Sequence, residues 1–145
     1  VARYEPKPET GRLVSLATTA LPPPRFATVA SNVNGTVFLA GGETGGLLEV
    51  DGSYGTRFVP GPVGVAVNGI AFHPKDGWAM IATGPRIRPR KDAALYRYEP
   101  GTSARLTELY EGPSGAGAFL CIVMTPQGDR ALVGTESGQL LQVAM

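Results

Sequence analysis

Apolar residues come in short bursts along this chain, and glycine, proline or asparagine closes each burst before three helical turns could form. No window shows the 3.6-residue spacing of an amphipathic helix, so almost no helix is expected. The bursts predict strands instead, at 1–6 and 12–18, then 26–31, 37–41, 47–50 and 56–59. Further strands follow at 68–72, 78–82, 95–98 and 105–110, and finally at 119–124, 131–134 and 140–143. Asn34-Gly35, Asp51-Gly52, Asp76-Gly77 and Gln127-Gly128 supply the tight turns of antiparallel meanders, with glycine adopting positive φ at little cost.

The strands repeat. ATVASNVNGTVFLAGGETGGLLEV, residues 27–50, returns without a gap as LCIVMTPQGDRALVGTESGQLLQV, residues 120–143. Gly35, Leu39, Gly41, Glu43, Gly45, Leu47, Leu48 and Val50 correspond to Gly128, Leu132, Gly134, Glu136, Gly138, Leu140, Leu141 and Val143. A weaker copy, GIAFHPKDGWAMIATG, lies between them, and Arg3-Tyr4-Glu5-Pro6 is echoed at Arg97 to Pro100. The repeating unit therefore holds four strands, a to d. Residues 1–18 supply outer strands of a preceding unit, 26–59 and 68–110 form full units, and 119–143 forms one without its d strand.

Strands a and b are continuous apolar runs, such as FLCIVM and WAMIA, which predicts cover on both faces. Strands c and d alternate, as in LYRYE, which predicts one solvent face. Four-stranded sheets stacked radially about an axis produce that difference.

At these residues the chain resembles β-propeller repeats. ARYEPKPETGRLVSL with LPPPRFATVASNVNGTVFLAGG is similar to a kelch unit, with a tyrosine-bearing strand, Pro-Arg ahead of strand a, Asn-Gly, and a Gly41-Gly42 pair. FHPKDGWAMIATG and MTPQGDRALVGTESGQLLQV resemble WD-repeat-like units. The resemblance implies an all-β propeller of four-stranded antiparallel blades, about three of them here, which is half or part of a ring. It carries over no family active site. A full ring needs about 4 to 8 blades. Either further copies complete it, or these residues belong to a longer propeller; an open sheet or sandwich is the remaining alternative.

Composition narrows the chemistry. The chain has 145 residues and a formal charge of +1 from 13 basic and 12 acidic side chains, so no global field recruits nucleic acid or an anionic membrane. No apolar run approaches the roughly 18 residues of a membrane span. The first residue is Val, which fits a processed chain or a piece of something larger, and the compartment stays open. Cys121 excludes an internal disulfide and is expected to be a small buried hydrophobe.

In such a meander the a-to-b and c-to-d turns lie at one end, and the b-to-c and d-to-a connections at the other. The first set is short. The second is varied, including LPPPR, GPVGVAV, GGETG, TESG and GPRIRPRKDA, so any binding surface is expected there. Arg86, Arg88, Arg90 and Lys91 concentrate positive charge in the last of these, between stiffening prolines, and suit an anion or an acidic partner. Arg25 should share that side. Glu43 and Glu136 recur at corresponding b-to-c positions, either as turn caps or as carboxylates for a cation or sugar. Asn68 alone fits a polar position near the axis. His73 has no companion for a zinc site and should make a turn hydrogen bond, while Trp78 should pack between sheets.

No phosphate-cradling glycine loop leads into a helix, and no serine elbow or Cys-His-carboxylate set occurs. The chain thus reads as a non-enzymatic binding or scaffold module that needs no cofactor and presents a loop face to a protein, peptide or glycan. The alternative is a hydrolase or sugar-binding lectin-like propeller whose axial pocket another chain completes, with Asn68, Glu43 and Glu136 as its candidates.

Overall fold

The computed structural model describes residues 2–6, 11–15, 25–61, 65–85, 93–101 and 105–145, the first two stretches by their backbone alone. Among the described residues every regular element is a strand, and every pairing is antiparallel. β1 (Ala2–Pro6) and β2 (Gly11–Ser15) form a hairpin. β3 (Phe26–Ser31), β4 (Val37–Gly42), β5 (Leu47–Asp51) and β6 (Thr56–Val59) form the first blade in chain order. β7 (Val65–Phe72), β8 (Ala79–Pro85), β9 (Ala94–Glu99) and β10 (Arg105–Glu111) form the second. β11 (Phe119–Met124), β12 (Arg130–Thr135) and β13 (Leu140–Ala144) form a three-stranded third.

Local chemistry explains the turns. Asn32 Oδ1 accepts the Thr36 and Val37 amides at 2.8 and 3.1 Å, and Gly35 takes φ +65° between them. Asp51 Oδ1 likewise accepts the Ser53 hydroxyl at 2.8 Å and the Gly55 and Ser53 amides at 2.8 and 2.9 Å, which together lower its pKa, in a turn where Tyr54 adopts φ +65°. At each first strand the register slips by one residue near its start, at Ala27, Asn68 and Leu120, so the three blades share one bulge.

Two apolar layers hold the blades face to face. Leu39, Leu47 and Val59 of the first meet Val67, Ile70, Ala79, Ile81 and Tyr98 of the second. On the second blade's opposite face, Trp78, Met80, Ala82 and Leu95 meet Phe119, Ala131 and Val133 of the third. β7 lies centrally, touching β3 and β4 on one side and β11 on the other. It begins at Val65, so part of the GPVGVAV stretch expected as a connection is strand, and Val67 is buried against the first blade.

Three expectations are corrected. β3 and β11, expected to be covered on both faces, leave one side open, with Val29 at 71% and Val123 at 58% exposure, because among the described residues β7 is the first strand with a blade on each side. β5, expected to alternate, is instead buried from Leu47 to Val50. Cys121 is exposed, since it points from β11 away from the second blade.

Candidate interaction face

The b-to-c and d-to-a connections emerge at one end of the stack, and the backbone there is tied in a repeated way. The Glu43 amide donates to the Arg25 carbonyl at 3.1 Å, and the Glu136 amide donates to the Ala118 carbonyl, its equivalent one repeat later, at 2.8 Å. Glu136 Oε2 then accepts the Ala118 amide at 3.1 Å, so this carboxylate caps its own turn. Gly117 holds φ +70° beneath it, where a Cβ would meet that carboxylate oxygen at 2.7 Å. Arg25 is exposed beside Phe26, and Glu43 is half-buried in the matching turn.

Asn68 does not stand free on an axis. It occupies the bulge of β7 and donates its side-chain amide to the Phe119 carbonyl at 2.8 Å, stapling the second blade to the third. The structure therefore leaves Asn68, Glu43 and Glu136 as separate tethers and forms no joint polar centre from them. Among the described residues no group of three His, Cys, Asp or Glu side chains could hold a metal. Arg86, Arg88, Arg90 and Lys91 lie outside the described residues. Their anchors are defined: Thr83 Oγ1 donates to the Ala94 carbonyl at 2.8 Å and accepts the Ala94 amide at 3.2 Å, clamping β8 to β9 where that stretch departs.

The densest polar cluster sits elsewhere, between the first two blades. Tyr98 donates its hydroxyl to Glu49 Oε2 at 2.6 Å, while Arg57 Nη2 donates to Glu49 Oε1 at 2.8 Å. Glu49 and Arg57 border a cleft of about 460 Å³ that reaches the turns at Asp51 and Pro100-Gly101, the end with short loops. Nearby, the Trp78 ring stacks on His73 with centroids 5.0 Å apart, and the Arg97 guanidinium lies 4.6 Å over the indole. His73 Nδ1 accepts the Asp76 amide at 3.0 Å, which is the expected turn bond, and its ring packs against Gly128 of the next blade. Asp76 Oδ2, 3.2 Å from the same nitrogen, pairs with it only when the ring is protonated. Trp78 is buried between the blades as expected. The Glu49–Arg57–Tyr98 trio was missed because Glu49 and Tyr98 belong to different units, and no spacing along the chain relates them.

Two tyrosines give this interface an alkaline limit. Burial, then the Glu108 hydrogen bond at 3.0 Å, pushes Tyr96 up to about 12; burial and Glu49 raise Tyr98 against the opposing pull of Arg57. Both folded values exceed the unfolded one, so the stability they contribute is complete below about pH 10 and is lost as pH rises through the folded pKa. Denaturation midpoints measured from pH 8 to 12 should fall above pH 10, and the Y96F/Y98F double variant should flatten that fall. An equal slope in the double variant would refute the assignment.

No protein family and no curated protein matches the chain. Among solved structures, a chain from the crystal structure of a mitotic checkpoint complex superimposes with a TM-score of 0.64 and 17% identity, over 83% of this chain and 36% of that one. At this identity the likeness shows the fold alone, and the present chain spans little more than a third of that chain's length. The fold is an all-β propeller type, built from antiparallel blades of which this chain supplies about three.

Proposed function

We propose that this chain is a non-enzymatic β-propeller binding module, kelch-like in its first unit and WD-repeat-like afterwards. It forms one partial propeller over residues 1–145, with 1–18 as outer strands of a preceding blade. Its partner is a protein, peptide or glycan, met by the end that carries the b-to-c and d-to-a loops. One observation carries the reading: the Arg25–Glu43 and Ala118–Glu136 ties recur on the blades flanking the Thr83–Ala94 clamp, so the basic stretch from Arg86 to Lys91 departs from a rigid frame. The neighbouring fold comes from a chain crystallised within a protein complex, which fits an interaction role.

The positive charge of that stretch selects an acidic surface. A polyglutamate peptide should bind at low salt and be released at high salt, and changing Arg86, Arg88 and Arg90 to Ser should weaken the binding several-fold while the unfolding midpoint stays put. Binding that is equal in the variant would remove the basic stretch from the contact.

A further inference from the structure

Two clefts adjoin at the end where the short turns gather. The first, of about 460 Å³, runs between the first two blades past Glu49, Asp51, Arg57 and Gly101. The second, of about 440 Å³, crosses the end of the second blade past Asp76, Trp78, Arg97 and Glu99. Val37 and Pro100 line both, so the two make one groove.

The groove holds hydrogen-bond donors that the fold does not use. Among the described residues only two buried side-chain nitrogens lack an acceptor, and they are Arg57 Nε and Arg97 Nε, one from each cleft. Folded proteins seldom leave such groups unpaired, so the pair points to an acceptor that arrives from outside. Arg57 Nη2 is committed to Glu49 Oε1 and the Tyr98 hydroxyl, and Arg97 Nη2 to Glu99 Oε1 at 3.0 Å above the Trp78 indole. Both side chains stay more than a third exposed, so each can turn its Nε–H toward the groove.

Charge decides which oxygen can take those donors. Glu49, Asp51, Asp76 and Glu99 line the groove against two guanidiniums, an excess of negative charge in a chain whose net charge is +1. Lys75 and Arg105, next to Asp76 in sequence and opposite Glu99 in strand pairing, line neither cleft. A ligand carboxylate or phosphate would face four carboxylates, whereas a neutral carbonyl meets no such repulsion. Asp76 and Glu99, with side chains 65 and 54% exposed, call for positive charge at the rim. Val33 and Tyr54 are exposed on the two turns of the first blade at this end, apolar surface that suits the methylene stems of lysine and arginine. An extended peptide supplies all of these, with carbonyls of alternate residues along one edge and cationic side chains between them.

We propose that the groove binds an extended basic segment of a partner protein, whose main-chain carbonyls accept from Arg57 and Arg97 and whose lysine or arginine side chains pair with Asp76 and Glu99. The site lies at the opposite end from the loop face and takes the opposite charge, so it stands or falls apart from that reading.

Heptalysine with acetylated and amidated ends, titrated at low salt into the 15N-labelled chain, should shift the Arg57 and Arg97 Nε–H resonances together with the Gly77 and Gly101 amides. The double variant D76N/E99Q, changed at exposed sites, should bind several-fold more weakly with its urea midpoint little altered. R97K keeps the charge but removes the Nε–H, and it should weaken binding too. Heptalysine that moves neither Nε–H resonance, or that binds D76N/E99Q as tightly as the parent chain, would overturn the proposal. Unaltered affinity in R97K would overturn the carbonyl contact. Maltoheptaose shifting these resonances where heptalysine does not would reassign the groove to a glycan.

Discussion

Tyr98→Ala is expected to cost about 3–5 kcal/mol of unfolding free energy, the range for removing a buried aromatic ring and leaving its cavity. Tyr98 is wholly buried on β9, where its ring packs with Leu39, Leu47, Val59 and Ile81 across the joint between the first two blades. Its hydroxyl also occupies Glu49 Oε2, and Arg57 holds the other carboxylate oxygen. Tyr98→Phe keeps the ring and deletes only the donor. It should cost about 1–3 kcal/mol, the penalty for a largely buried acceptor left without its partner. Urea denaturation of the two variants separates packing from hydrogen bonding. If both variants lost the same amount, the ring would contribute no packing to the joint, contrary to the contacts described. A loss of that size matters because small domains commonly hold only about 5–15 kcal/mol in total.

Gly42→Ala should be the second largest lesion, at about 1–3 kcal/mol or more. A Cβ at Gly42 would run into the carbonyl of Arg25, with the Phe26 Cα 2.9 Å away, and both obstacles are backbone. No rotamer change relieves that. The pairing of Phe26 with Gly42 would have to open, taking with it the Glu43 amide bond that frames the loop face. Gly77→Ala is the control, because its Cβ would meet nothing within 4 Å and its cost arises from φ +74° alone. Gly42→Ala should therefore weaken binding at the loop face as well as stability, whereas Gly77→Ala, in a turn at the opposite end, should affect stability only. Equal loss of binding in both would show that the frame around Arg25 does not govern the loop face.

Strand positions were largely legible because period-2 burial and turn glycines are local signals. β3, β6 and β11 fall where the apolar bursts place them, and the Asn34-Gly35 turn closes as its residues dictate. The candidate site was less legible. Glu136 as a turn cap could be guessed from its recurrence, but the engagement of Asn68 with Phe119 depends on which blade lies beside β7. Cys121 was misplaced for a related reason: FLCIVM is apolar on both sides, yet burial depends on whether a second sheet arrives.

The amino-acid order by itself determined the blade, its four-strand repeat and the end at which its longer loops gather, since hydrogen-bonded meanders and turn conformations depend on neighbours a few residues away. Only the tertiary structure decided which apolar faces are covered, which glycines answer to φ and which to a neighbouring backbone, and that Glu49, Arg57 and Tyr98 meet. Those outcomes depend on the stacking of separate sheets, and contacts between residues some 40 to 50 positions apart leave no periodic trace along the chain.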